Sequence, residues 1–226
     1  MRSVNKSIVK TLINGVLIVD LISCSAISTE IHHSNLNVES KMSNSIFLDP
    51  VDENQQTIYI QIKNTSTENL ANLTAQIKQN LQNGGWVVVN NPTKAHDLLQ
   101  VNVLQYGQAK NSKEVEKATM SGFGSVVTGA LAGVAVGYFA GSTPWGVGIG
   151  LGVAAASFAA DELVTTKTYS LITDVQVSVR NANALKKYNT RISSMADKVN
   201  LKFEEAKPVL VNQLSKEIAN IFVENE

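Results

Sequence analysis

The chain holds a single thiol, Cys24, and its setting indicates what that thiol is for. It follows Leu21-Ile22-Ser23, the layout of a bacterial lipobox, in which a small residue precedes the cysteine that takes a diacylglycerol thioether and becomes the first mature residue. Only a thiol can be alkylated there, and two or more acyl chains make anchoring stable. With one cysteine no disulfide can close within the chain and no cysteine cluster can hold a metal. The covalent lipid on Cys24 is therefore expected, and no cofactor or metal is. The remaining candidates for chemistry are sparse. His32-His33 and His96-Asp97 contain all three histidines, and Asp161-Glu162 is the most suggestive acidic pair. Metal ligands on a helix sit roughly three or four residues apart so that they share a face, whereas adjacent residues point apart. There is no GxSxG, HExxH, P-loop or CxxC, so an enzyme is not expected. His96-Asp97 is expected to cap or flank the strand beginning at Leu98, and Asp161-Glu162 to end an apolar stretch at the water boundary.

The elements around Cys24 agree with export. Residues 1–23 carry Arg2, Lys6 and Lys10, then a mostly apolar run from Leu12 to Ile22 broken by Asp20, which is the pattern of a signal peptide. Ser25 follows the cysteine where an Asp would suggest inner-membrane retention, so the outer membrane is the expected location. Removing the leader takes three basic groups and one acidic group from totals of 19 and 19, leaving 16 basic against 18 acidic. That slight negative balance predicts no nucleic-acid partner.

Between Lys117 and Asp161 the chain runs 43 residues without a charge, and ten of its fourteen glycines lie there. One membrane span needs about 20 apolar residues, so the run suits two spans. Gly141-Ser142-Thr143-Pro144-Trp145-Gly146 supplies turn chemistry between them. The expectation is a helical hairpin with arms near Thr119 to Gly141 and Trp145 to Val164. Gly129, Gly133, Gly137 and Gly141, spaced by four, would line one helix face, answered by Gly146, Gly148, Gly150 and Gly152 on the second arm. Small residues at such spacing allow close helix packing in lipid. A buried hairpin in a soluble core and a flexible linker are the plainer alternatives. Tyr138 and Trp145 suit interface anchors or partner contacts. Ser142, Thr143, Pro144 and Trp145 are candidates for an external recognition tip, although a tight turn asks for such residues in any case.

Outside this run the expected fold class is α+β, a small mixed sheet with packed helices interrupted by a Gly/Ala-rich transmembrane helical hairpin. The division is signal peptide 1–23, the first part of the α+β domain 24–117, the hairpin 118–164 and the second part 165–226. Ile58, Ile60 and Ile62 alternate with polar neighbours over Thr57 to Lys63, a half-buried strand. Thr65 and Glu68 have capping-box spacing before the stripe Leu70, Leu73, Ile77 and Leu81, a helix that Gly84-Gly85 would stop. Short strands are predicted at Trp86 to Val89, Leu98 to Tyr106 and Tyr188 to Ser194, and a long one at Lys167 to Arg180. The strands on either side of the hairpin are expected to be neighbours. Phe203, Ala206, Leu210, Leu214, Ile218 and Phe222 mark a final helix that begins or bends at Pro208, with Lys202, Glu204, Glu205 and Lys207 on a solvated face.

The run from Asp197 to Leu210 (DKVNLKFEEAKPVL), with Gln213-Leu214 and Ile218-Ala219-Asn220-Ile221 behind it, resembles the TraT family. The likeness extends to Ile60 through Ser66, Leu171 through Gln176, the lipobox and the Gly-rich run, and is nearly full length in order and spacing. The chain departs in being shorter between Arg180 and Tyr188, and in its own sequence from Gln105 to Ser121 and through the hairpin turn. These departures bear on partner specificity. The resemblance implies a plasmid-encoded outer-membrane lipoprotein of surface exclusion, also called a complement resistance protein. Such a protein forms homo-oligomers and, in the recipient cell, hinders mating contact or DNA entry from donors with a related transfer system. A donor pilus or mating-pair surface protein is the partner this implies. The competing reading is a structural or pore-forming glycine-zipper envelope lipoprotein without exclusion activity, which would not need the Val199 to Leu210 run.

Overall fold

The computed structural model describes residues 35–125, 127, 134–140, 147–153, 166–181 and 184–223. In chain order the elements are β1 (Asn37–Met42), β2 (Thr57–Asn64), α1 (Leu73–Asn83), β3 (Val87–Val88), β4 (Asp97–Ala109), α2 (Ser112–Met120), β5 (Val134–Ala140), β6 (Val147–Val153), β7 (Thr166–Asn181), β8 (Ala184–Val199) and α3 (Phe203–Asn220). Six strands make one sheet in the order β1-β8-β7-β4-β2-β3, and β5 and β6 make a separate two-stranded ribbon. Within the large sheet, β4 runs parallel to β2 and β2 to β3, while β7 is antiparallel to both β4 and β8.

Alternation along the strands decides which face each side chain takes. On β7, Leu171, Val175 and Val177 join Leu99 and Val101 of β4 in the main core, closed by Leu73, Ile77 and Leu81 of α1 and Leu210, Leu214 and Ile218 of α3. Burial of side chains of this size stabilises by about 1.5–3 kcal/mol each relative to exposure. The register of β4 against β7 shifts between Val103 and Gln105. The extra residue, Leu104, joins the opposite cluster with Val115 and Ala118 of α2, Ile172 and Met195. The same bulge returns Tyr106 to the main core, where an unbroken period of two would have turned it away. Tyr106 meets Phe203 edge-on and Tyr169 stacks on it, each pair at 5.2 Å.

Several predicted elements appear with shifted bounds. The first helix begins at Leu73 rather than at the Thr65/Glu68 box, because Thr65 Oγ1 donates to the Val103 carbonyl (2.7 Å) instead of capping. Asn72 precedes α1 at φ 71 with no side-chain cap. The last helix starts at Phe203 and contains Pro208, leaving the Glu204 carbonyl without its usual donor. On its solvated face Lys207 Nζ reaches Glu204 Oε1 (2.6 Å). Strands β4 and β7 are neighbours in the sheet.

The α+β architecture with a transmembrane helical hairpin is not what the molecule shows. It is mostly sheet with three α-helices among the described residues. None of the helices searched there is long and apolar enough to cross a membrane, a statement that leaves strand-built membrane proteins aside. Inside the two expected helical arms lie the strands β5 and β6, paired antiparallel from Val134 with Val153 to Ala140 with Val147. The physical reason is in the spacing. Glycines four apart share a face in a strand as well as in a helix, so Gly129, Gly133, Gly137 and Gly141 do not discriminate. Gly146, Gly148, Gly150 and Gly152 recur every two residues, the strand period, among β-branched Val147, Ile149 and Val153.

Candidate functional site

The insertion between β4 and β7 is fastened to the sheet by a buried polar clamp. Its first part is α2, whose N-terminus is capped by the Asn111 side chain accepting from the Glu114 amide (3.0 Å) and whose Val115, Ala118 and Thr119 are buried. Thr119 Oγ1 donates to the Val115 carbonyl (2.8 Å) and lies 2.7 Å from Ser193 Oγ on β8. The chain then turns at Gly122 (φ +83) and Gly124 (φ +75), a backbone conformation that suits glycine.

Opposite this turn, Asp174 of β7 and Arg191 of β8 are cross-strand partners. Arg191 is fully buried. Its Nε donates to Asp174 Oδ1 (2.7 Å) and its Nη2 to Asp174 Oδ2 (3.2 Å), a bidentate pairing. The rest of the guanidinium binds the insertion. Nη1 meets the Ala118 carbonyl (3.0 Å), Ser121 Oγ (2.9 Å) and Ser125 Oγ (3.0 Å), and Nη2 also donates to the Ser125 carbonyl (2.8 Å). Asp174 Oδ2 in turn accepts from the Gly124 amide (2.8 Å). Two opposite charges out of water are tolerable only when their remaining bonding capacity is filled, and here the filling comes from residues 118–125. The clamp therefore holds the first root of the insertion on the β7–β8 pair. It was not foreseen from sequence. The one available signal was a charged residue in each of two strands, Asp174 on the polar side of its alternation and Arg191 in the middle of β8.

Beside the clamp, on the same face, lie the buried side chains of Asn102 and Gln105 and Ser170 Oγ. Among the described residues none of their polar atoms has a hydrogen-bond partner. Two amide pairs form the next row of the sheet toward the start of β4, Gln100 with Gln61 and Gln176 with Asn189, each at 2.9 Å.

The residues singled out in the sequence are only partly brought together. Gly137 lies in β5 opposite Gly150, while Gly148 and Gly152 of β6 face Phe139 and Ala135. Gly137 and Gly150 are thus partners across a ladder rather than neighbours along a helix. Gly129, Gly133, Gly141, the tip Ser142, Thr143, Pro144 and Trp145, and the lipidation residue Cys24 lie outside the described residues. His96 flanks β4 and its Nδ1 lies 2.6 Å from Asp97 Oδ1. Asp97 is buried, and that burial raises its pKa, partly offset by the hydrogen bond and charge of His96.

Comparison with known proteins assigns the family. The model of the enterobacterial TraT complement resistance protein matches residues 35–187 and 178–222. A TraT complement resistance protein of Escherichia coli is 37% identical over 235 residues, covering 89% of this chain and 92% of its own. One from Wigglesworthia glossinidia brevipalpis is 26% identical over 234 residues, covering 89% and 91%. Among solved structures, a minor lipoprotein from Acinetobacter baumannii aligns with 73% of this chain and 88% of its own at 11% identity and a TM-score of 0.37, too distant to argue from. The match on both sides of the insertion and the identity over nine-tenths of the length lead to one conclusion: this chain belongs to the TraT complement resistance protein family.

Proposed function

We propose that this chain is a lipid-anchored outer-membrane protein of surface exclusion, hindering mating contact or DNA entry from donors that carry a related transfer system. The observation that supports this most is the extent of the family match, which runs through the clamp residues Ser121, Gly124, Asp174 and Arg191 and on into α3. Cys24 carries the acyl chains, and the insertion is the part presented to neighbours. The mechanism is obstruction, which needs no catalysis. Homo-oligomers form through the ribbon, since β5 and β6 pair only with each other among the described residues and a lone two-stranded ribbon is marginal in water. Its two open edges offer backbone donors and acceptors to further strands. Ser142, Thr143, Pro144 and Trp145, between the strands, are the proposed contact for a donor pilus or mating-pair protein. Complement resistance, the property in the relatives' names, would follow from a dense surface coat and is secondary in this proposal.

Plasmid acquisition by recipients expressing this protein or Cys24→Ala, with donors of the related and of an unrelated transfer system, tests the proposal. A selective drop that disappears in Cys24→Ala is the expected result. No drop with any donor, despite surface-located protein, would overturn it in favour of a structural envelope lipoprotein.

A further inference from the structure

At the end of the sheet away from the clamp lies a cleft of about 730 Å³. One wall is the strap after β1, with Phe47 at its mouth 84% exposed. Another is the C-terminal stretch through Phe222 and Val223, locked in place because the Trp86 indole donates to the Phe222 carbonyl (3.0 Å) and the two rings meet edge-on at 5.4 Å. Gly84 lets this stretch approach, since a Cβ there would collide with Val223 Cγ2. The lining mixes apolar side chains with polar atoms, and set into it is the carboxyl group of Asp97, whose side chain is only 2% exposed.

That carboxyl group is unusual for its place. Asp97 lies on the β4 alternation that sends Leu99 and Val101 into the main core, where a carboxylate costs free energy unless it is paired. One oxygen, Oδ1, is taken by His96. No described residue donates to Oδ2, yet this atom is absent from the sealed, partnerless polar atoms of the core, so it opens on the cleft. The nearby cations are committed elsewhere. Arg180 donates to the Ala95 and Pro92 carbonyls, and Lys186 pairs with Asp49 at the rim. A desolvated carboxylate with one free oxygen, aromatic and aliphatic walls, and a volume in the range of small-molecule sites together define a ligand.

We propose that this cleft binds a small organic cation, an amine or guanidinium carried on an apolar body, with the charged group on Asp97 Oδ2 and the body against Trp86, Phe222 and Phe47. Nothing in this proposal depends on the exclusion activity.

Three ligands of one shape and different charge test it on the full-length protein by saturation-transfer NMR titration: tryptamine, its neutral alcohol counterpart tryptophol, and indole-3-propionate. Tryptamine is expected to bind at least about tenfold more tightly than either of the others, as a single paired charge in a partly dry site would require. Asp97→Asn should bring tryptamine down to the level of tryptophol. Phe47→Ala, whose exposed ring leaves the fold intact, should weaken tryptamine and tryptophol together. Equal affinity for the three ligands, no binding of tryptamine, or a tryptamine preference that survives Asp97→Asn would overturn the proposal. Should Asp97→Asn fail to fold, the ratio among the three ligands in the unaltered protein decides the charge requirement and Phe47→Ala decides the place.

Discussion

The two faces of the central sheet are built on opposite principles. Toward α1 and α3 it presents an almost unbroken apolar surface, with Leu99, Val101, Leu171, Val175 and Val177 fully buried. Toward α2 it buries a charge pair, hydroxyls and carboxamides, with only a small apolar cluster around Leu104 and Ile172. Apolar packing is non-directional and tolerates rearrangement, whereas a buried guanidinium with several fixed partners accepts one arrangement. The first face holds the fold together. The second fixes where the insertion starts.

Breaking the clamp should produce the largest effect. Arg191→Met leaves Asp174 buried without its cation and frees residues 118–125, and should cost about 3–5 kcal/mol in urea unfolding. The double variant Arg191→Met/Asp174→Leu should regain much of that, while trypsin or hydrogen exchange still finds the 118–125 segment loosened. If the double variant keeps that segment protected, the clamp does not position the insertion. On the apolar face Leu210→Ala should cost about 2–4 kcal/mol, again by urea unfolding, through cavity formation. Unlike the clamp variants, it should leave exchange at Gly124 no faster than global unfolding dictates.

A smaller change sharpens the contrast with the opposite sign. Asn102 has both ends of its carboxamide buried and, among the described residues, unpartnered, so Asn102→Val should stabilise by about 1 kcal/mol, read as a raised Tm. A loss of stability would mean that this amide is satisfied in the assembled protein. The smallest effect concerns Asp97, a carboxylate on the apolar face. Burial, only partly offset by His96, raises its folded pKa, so the folded state holds this proton to higher pH than the unfolded state. Stability from this group is therefore fully present below the unfolded pKa and is lost as pH rises through the folded one. Asp97→Asn removes that loss. Its Tm should exceed that of the unaltered protein at neutral pH, and the difference should shrink on acidification toward the ordinary carboxylate range.

Strand and helix periods carried most of the sheet and the main core. Ile58, the β7 alternation and the Leu210/Leu214/Ile218 stripe each repeat in register with one element, and burial follows the repeat. The insertion was misjudged because a glycine spacing of four belongs to both periods, and the spacing of two from Gly146 onward was the sign of a strand. The beginning of β8 was missed because Leu185, Lys186 and Lys187 lie exposed, so pairing with β7 is all that defines it. The clamp and the cleft were illegible for a different reason. Asp174 and Arg191 become partners only through register, and Asp97 meets Trp86 and Phe222 only through the fold, so no local pattern announces either.

The clamp has a mechanical consequence. The insertion leaves the sheet at Gly124, tied to Asp174, and returns at Thr166, the first residue of the same strand. Eight residues of β7 separate these two moorings, roughly 26 Å of strand. An appendage held at a single point can swivel, but one moored fore and aft to one rigid beam inherits the heading of that beam. A load applied along β7 at either mooring would be received as shear by the sixteen-residue β7–β8 ladder, which would share it among many hydrogen bonds at once instead of unzipping them one by one.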